Sequence, residues 1–174
     1  MMNRMFAGVF AALLLVASPA WAQSLSDTIT TSANTNGADL DNAIDTDGFT
    51  ADMQQVILDA YNAANKASAT SLDALSDQAL ADALQAVLAS NPTLATNQVT
   101  ALVRATIRSR PAIAPQLAAA AATARPDIGG AIRDAAIAVA PDQEPQIRVA
   151  VREAVVIQQS IRDEEFVDNP ASND

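Results

Sequence analysis

The side chains of this sequence that could take part in chemistry are carboxylates and arginines. The 174 residues include no His and no Cys, which excludes Ser-His and Cys-His nucleophile pairs, thiolate metal sites and disulfides. There are 20 Asp+Glu and 10 Lys+Arg, and the aromatic content is 3%. A carboxylate pair could still catalyse hydrolysis inside a well-formed cleft, but so few aromatic residues disfavour such a cleft. We therefore expect a protein that is not an enzyme.

One acidic segment has the character of a metal site. Its acids are Asp39, Asp41, Asp45 and Asp47, and Gly48 follows them. Calcium binds carboxylate and carbonyl oxygens, and Asp45, Asp47 and Gly48 match the third, fifth and sixth positions of an EF-hand loop. The match then fails, because Ala43 stands at the first position and Gln54 at the last, where a bidentate Glu is needed. The sequence leaves open a weak calcium site, but it favours a polar turn before the first helix.

Three arginines are candidate partner-binding residues, namely Arg125, Arg133 and Arg148. Arg133 and Arg148 each lie seven residues after a proline, so we expect them to line up on an outer surface. One interpretation is that they are solvated residues on an alanine-rich surface. The other is that they recognise a partner that carries carboxylates, a glycan, or the acidic segment of the chain itself. The pattern favours the first interpretation.

The N-terminus predicts export. Residues 1–22 have the pattern of a bacterial secretory signal, with Arg4, an apolar run over residues 5–16, and Ala20-Trp21-Ala22 as the cleavage site before Gln23. An uncleaved N-terminal anchor is the alternative. The run is shorter than the roughly 20 apolar residues that a spanning helix needs, so we expect no membrane span after cleavage. The location would be the periplasm or the outside of the cell.

Composition divides the rest of the chain into three parts. Residues 23–49 are rich in Ser, Thr, Asn and Asp, and their apolar residues are sparse, which predicts a disordered acidic arm. Residues 50–162 have helical spacing of apolar residues and predict one helical domain, with Thr50 as the first N-cap. Residues 163–174 predict an acidic, frayed tail. The net charge of −10 disfavours nucleic acid as a partner.

A proline repeat marks the second half of the helical domain. Pro111, Pro126 and Pro141 stand 15 residues apart, and proline suits the first turn of a helix while it disfavours continuation of the helix before it. Six residues after each proline, the chain carries Leu117, Ile132 and Ile147. We expect repeat units near residues 92–110, 111–125, 126–140 and 141–162. In the last unit, a helix from Pro145 to Ile161 should turn five residues inward: Ile147, Val151, Ala154, Val155 and Ile161.

These patterns predict an all-α protein in which short, Pro-punctuated, Ala-rich helices stack as a small helical repeat or bundle. One unit buries too little apolar surface to fold alone, so the units must pack on one another. The function that we expect is an exported, non-enzymatic structural or protein-interaction module of the bacterial cell envelope. It would associate with itself or with another protein and would use no cofactor. The alternative is a weak calcium-binding module that uses the acidic segment.

Overall fold

A computed structural model of the protein describes residues 19–37 and 39–167. The helices in these ranges are α1 (Pro19–Gly37), α2 (Leu40–Ala43), α3 (Asp47–Asn65), α4 (Asp77–Ala89), α5 (Thr96–Ser109), α6 (Ala114–Ala124), α7 (Gly129–Val139) and α8 (Glu144–Val167). No described residue lies in a β-strand, so the predicted all-α class is confirmed. No helix in the described ranges has both the length and the apolar character to cross a membrane.

Helices that lie two places apart in the chain pack side by side, and this divides the body into two layers. One layer consists of α3, α5 and α7, and the other consists of α4, α6 and α8. Consecutive helices, such as α6 with α7 and α7 with α8, pack across from one layer to the other. At the beginning of the chain, α1 packs on α2 and α3. At the other end, α8 is the last described helix of its layer.

Prolines begin the last three helical segments. Pro111, Pro126 and Pro141 each open a single 3-10 turn that leads directly into α6, α7 or α8. The residue before each proline has a non-helical backbone: φ and ψ are −147° and 74° at Arg110, −133° and 68° at Arg125, and −129° and 64° at Ala140. A following proline disfavours the helical conformation of its neighbour. Pro92, in contrast, lies in a turn, and α5 begins at Thr96.

The structure corrects the prediction of a disordered arm over residues 23–49. This region is helical in α1, α2 and the start of α3. Leu25, Ile29 and Ala33 are buried, with exposed fractions of 4%, 0% and 2%. The three residues stand four apart and therefore share one helix face. The apolar residues are few, but they form a single stripe, and packing on α2 and α3 gives α1 a stability that its composition alone would not provide.

Two helix boundaries also differ from the prediction. The N-cap of α3 is Thr46 rather than Thr50, since the Phe49 N–H donates to Thr46 Oγ1 over 3.3 Å. Asp47 and Gly48, which the sequence placed in a turn, belong to the first turn of α3. At the other end, α8 continues to Val167, so the start of the predicted frayed tail is helical. Residues 168–174 lie outside the described residues, as do residues 1–18 of the predicted signal.

The core contains the apolar position that recurs after each proline. Leu117, Ile132 and Ile147 are fully buried, each with 0% exposure. In α8, Val151 and Ala154 are also buried as predicted, at 4% and 8%. Ile161 is different, because its side chain is 50% exposed, and the prediction that it faces inward is wrong. The apolar face of α8 therefore extends beyond the part of the helix that the body covers.

Candidate functional site

The candidate partner-binding residue Arg125 is held inside the chain. Its Nη1 donates to the carbonyl oxygen of Leu94 over 3.1 Å. Its Nε and Nη2 donate to the two carboxylate oxygens of Asp127 over 3.1 Å and 3.0 Å. The side chain is only 12% exposed. Arg125 therefore fixes the start of the α7 segment against the loop before α5, and its guanidinium has little surface to offer to a partner.

Arg110 has the same position before a proline, and sequence reasoning did not single it out. Its Nη1 donates to the Leu75 carbonyl oxygen over 2.9 Å and to Asp77 Oδ1 over 2.8 Å. Its Nη2 donates to the Leu72 carbonyl oxygen over 2.8 Å. These contacts join the start of the α6 segment to the loop before α4. The available signal was the spacing, since Arg110 and Arg125 stand 15 residues apart and each precedes a proline.

Two further side chains make the same kind of connection. Arg108, near the end of α5, donates to the Ile44 carbonyl oxygen and pairs with Asp45 in the loop before α3. Gln143 Nε2 donates to the Pro111 carbonyl oxygen over 2.6 Å and so joins the start of α8 to the start of the α6 segment. We call these four side chains, Arg108, Arg110, Arg125 and Gln143, the layer ties. Each connects a helix to the loop before the helix that precedes it in the same layer.

The other two candidate arginines lie nearer the surface. Arg133 in α7 pairs with Asp134 over 2.8 Å, and its side chain is 36% exposed. Arg148 in α8 pairs with Glu144 over 2.7 Å, and its side chain is 52% exposed. Both ion pairs are local, since their partners are one and four residues away. Exposed pairs of this kind contribute at most about 1 kcal/mol to stability, so both guanidinium groups remain accessible to a binding partner.

The candidate calcium segment uses its acids for local structure. Asp39 caps α2, because its carboxylate accepts from the backbone N–H and the side-chain amide of Asn42 over 2.9 Å and 3.0 Å. Asp45 pairs with Arg108, and Asp47 is exposed in the first turn of α3. The side chain of Asp41 is not among those that the structure describes. Within the described part of the chain, no three acidic side chains form a group that could hold a metal ion.

Two shallow clefts lie beside α3. One, of about 290 Å³, lies between α3 and the segment before α4, and Asp73 is its sole acidic lining residue. The other, of about 390 Å³, lies between α1 and α3 and contains Asp27 and Asp52. Asp52 accepts from Ser32 Oγ over 2.6 Å, but both acids are exposed to water. A hydrolytic carboxylate pair needs one acid in a secluded environment, and this cleft does not provide one.

The most distinctive surface of the described chain is on α8. Four large apolar side chains are exposed there: Val149 at 43%, Val156 at 53%, Ile157 at 57% and Ile161 at 50%. No other large apolar side chain among those that the structure describes is exposed to this extent. We call these four residues the α8 patch. Arg148, Arg152 and Glu153, all exposed, lie on the same helix beside it. Sequence reasoning missed the patch because it assigned Ile161 to the buried face and gave no role to the other three.

The α8 patch differs from scattered exposed residues, because its four members lie on one helix. Single exposed apolar residues are common on protein surfaces, but a group of them on one element marks an interaction surface. No protein-family model matches the chain, and neither does any of the curated proteins or solved structures with which it was compared.

Proposed function

We propose that this protein is an exported, non-enzymatic structural or interaction module that presents α8 to a protein partner in the bacterial cell envelope. The observation that carries this proposal is the α8 patch. Full burial of an Ile or Val side chain contributes roughly 1.5–3 kcal/mol, and these residues, at 43–57% exposure, have about half of that still to gain. Four such residues on one helix therefore provide a substantial driving force for association.

The arrangement of the helices explains why this surface is available. We propose that the proline-begun segments act as units of a short, open stack, in which each new helix packs on the helix two places before it. The recurring 3-10 turns at Pro111, Pro126 and Pro141 and the layer ties support this interpretation. A stack of this kind has two ends, and an end helix lacks the neighbour that covers an internal one. In this account α8 is such an end helix.

Export is part of the same proposal, and it rests on the sequence of residues 1–22. Cleavage after Ala22 would leave most of α1 in the mature protein. Leu25 and Ile29, which are buried, follow the cleavage site, so the contacts that attach α1 to the body would remain. The lack of disulfides means that an exported form depends on helix packing for its stability.

The proposal can be tested by photo-crosslinking in the native host. A photoreactive residue at position 157 would report on contacts of the α8 patch. The same residue at position 66 serves as the control, because Lys66 is exposed and follows the end of α3. We expect covalent protein adducts in the envelope fraction from position 157 and none from position 66. Absence of adducts at position 157 in a stably folded, exported protein would contradict the proposal.

A further inference from the structure

We propose that the α8 patch binds the α8 patch of a second copy of this chain, with the two α8 helices antiparallel across a two-fold axis. This inference rests on the proposed function and names the partner. It follows from where the apolar residues lie, how far α8 extends, and how charge is distributed along the helix.

Exposed apolar surface is concentrated on one helix. Among the side chains that the structure describes, all the exposed large apolar ones belong to α8. If two copies associate, the α8 patch of one copy can therefore pack against an apolar surface of similar size only at the α8 patch of the other, among the side chains that the structure describes. An interface that uses the same surface on both subunits is isologous and has two-fold symmetry. Head-to-tail contact would instead place the α8 patch against polar side chains.

The second argument is the length of α8. It has 24 residues, whereas α6 and α7 have 11 each, so α8 measures about 36 Å and its neighbours about 17 Å. Ala150, Ala154, Ile157 and Ile161 follow one face of this helix. Ala154 is 8% exposed, but Ile157 and Ile161 are 57% and 50% exposed. The face that the body covers in the first half of α8 is thus open in the second half, where a second helix has room to pack.

The distribution of charge along α8 favours the antiparallel orientation. Residues 144–155 carry no net charge, because Arg148 and Arg152 offset Glu144 and Glu153, whereas residues 162–165 carry a charge of −2. An antiparallel pair with its axis near Val156 and Ile157 brings residue 148 of one copy opposite residues 164 and 165 of the other. A parallel pair would bring like charges together. Such complementarity at the rim of an interface favours one orientation and raises the association rate.

Sedimentation equilibrium of the purified exported protein tests this inference. We expect a dimer Kd of about 1 μM, so that the protein should be mainly dimeric at a concentration of about 100 μM. Ile157→Glu should raise the dimer Kd by roughly thirtyfold or more, as expected for a side chain at the centre of an interface. Ala138→Glu, on the exposed surface of α7, is the matched control and should leave the Kd unchanged. Circular dichroism should show the same helix content for all three proteins.

A second pair of measurements addresses the role of charge and the orientation. Arg148→Glu should raise the Kd by about tenfold, because residue 148 lies opposite the acidic residues 164 and 165 of the other copy, and the dimer should weaken as salt is added. Because the chain has no Cys, single introduced cysteines can report on which residues meet. Under mild oxidation, we expect Val156→Cys to form a disulfide-linked dimer, because it lies near the axis. Arg148→Cys should not, since an antiparallel partner places its own residue 148 at the far end of the helix.

Three results would overturn the inference. A protein that stays monomeric at all concentrations tested would exclude the dimer. In that case, adducts between position 157 and a different protein in cells would still support the proposed function, with another partner. Efficient cross-linking of Arg148→Cys to itself would indicate parallel helices. A dimer that Ile157→Glu and Arg148→Glu both leave intact would show that the copies meet through another surface.

Discussion

Arg110 and Arg125 each extend from the residue before a proline to the loop of an earlier helix. Arg110 donates to the Leu72 and Leu75 carbonyl oxygens, and the Leu72 oxygen also accepts from the Leu75 N–H over 3.0 Å. Buried backbone groups are costly when they lack a hydrogen-bond partner. The contribution of these arginines is therefore to fix how successive helices of a layer are joined. Arg133 and Arg148, with similar surroundings in sequence, have local partners instead.

The two kinds of arginine should differ in how much their replacement lowers the free energy of unfolding. Arg110→Met keeps much of the aliphatic side chain but leaves the Leu75 carbonyl oxygen without its Arg110 donor and removes the ion pair with Asp77, so we expect the free energy of unfolding to fall by about 1–3 kcal/mol. Arg133→Met removes an exposed ion pair and should change stability by no more than about 0.5 kcal/mol. Urea unfolding followed by circular dichroism measures both. Equal effects of the two substitutions would contradict the role given to the layer ties.

A neighbouring glycine pair offers a second comparison at the scale of single residues. A Cβ on Gly129 would lie 2.7 Å from Val155 Cγ2 of α8, whereas a Cβ on Gly130 would meet nothing within 4 Å. Valine has few rotamers with which to move aside. Gly129→Ala should therefore cost about 1–3 kcal/mol through overpacking, and Gly130→Ala should stabilise α7 by up to about 1 kcal/mol. Thermal unfolding of both variants gives the sign of each effect, and a stabilising Gly129→Ala would show that α7 and α8 are further apart.

At the scale of helices, periodicity predicted some elements and missed others for identifiable reasons. The face of α4, with Leu80, Leu84, Val87 and Leu88, was predicted correctly, and all four residues are buried. In α1, the stripe of Leu25, Ile29 and Ala33 has a similar helical spacing, but its residues are separated by Ser, Asp and Thr. Local composition therefore indicated disorder. The contacts that stabilise α1 come from distant residues, such as Gln98, whose Nε2 donates to Ser26 Oγ over 3.0 Å, and the sequence pattern does not reveal them.

The candidate site was less predictable than the helices. The sequence located the buried side of α8, but whether a helix face is covered depends on how far its neighbours extend. No local pattern distinguishes Ala154, at 8% exposure, from Ile161, at 50%. The sequence likewise did not show that Arg125 donates to the Leu94 carbonyl oxygen, which is remote in sequence. Both features depend on tertiary contacts, and periodicity carries information on local structure alone.

The complete burial of three side chains leads to a prediction for the helices in the second half of the chain. Leu117→Ala, Ile132→Ala and Ile147→Ala each remove a fully buried side chain and should each cost about 2–5 kcal/mol. Because helices of both layers pack on one another, the domain should still unfold in a single transition. Denaturation curves recorded by circular dichroism test this expectation. A separate early transition in one variant would indicate that its helix folds independently.

For the whole molecule, two packed layers explain how a chain with no disulfide and few aromatic residues can fold. Small side chains, such as Ala118, Ala121 and Ala122, are fully buried in α6, which allows close approach between helices. Each helix gains little burial on its own, so stability arises from contacts with neighbours on several sides. In the same arrangement, α8 is the last described helix of its layer, and the α8 patch is exposed to water. The fold and the proposed interaction are linked in this way.

Export of the whole molecule predicts a defined mature N-terminus. N-terminal sequencing of the protein from the envelope fraction should begin at Gln23, because Ala20-Trp21-Ala22 provides the small residues that the signal peptidase requires. The mature protein should retain the helix content expected with α1 in place. An N-terminus at Met1 in the envelope fraction would support the uncleaved anchor, and recovery of the chain in the cytoplasm would contradict export.

The most direct test of this account is the rate at which introduced thiols react with a labelling reagent. The account requires that the proline-begun helices bury Ile132 while α8 leaves Ile157 open. At concentrations below the dimer Kd, Ile132→Cys should react at least roughly a thousandfold more slowly than in urea, given an ordinary domain stability. Ile157→Cys should react nearly as fast as the unfolded chain. Rapid labelling of Ile132→Cys without urea, in a protein that retains its helical circular dichroism, would contradict the packed two-layer structure.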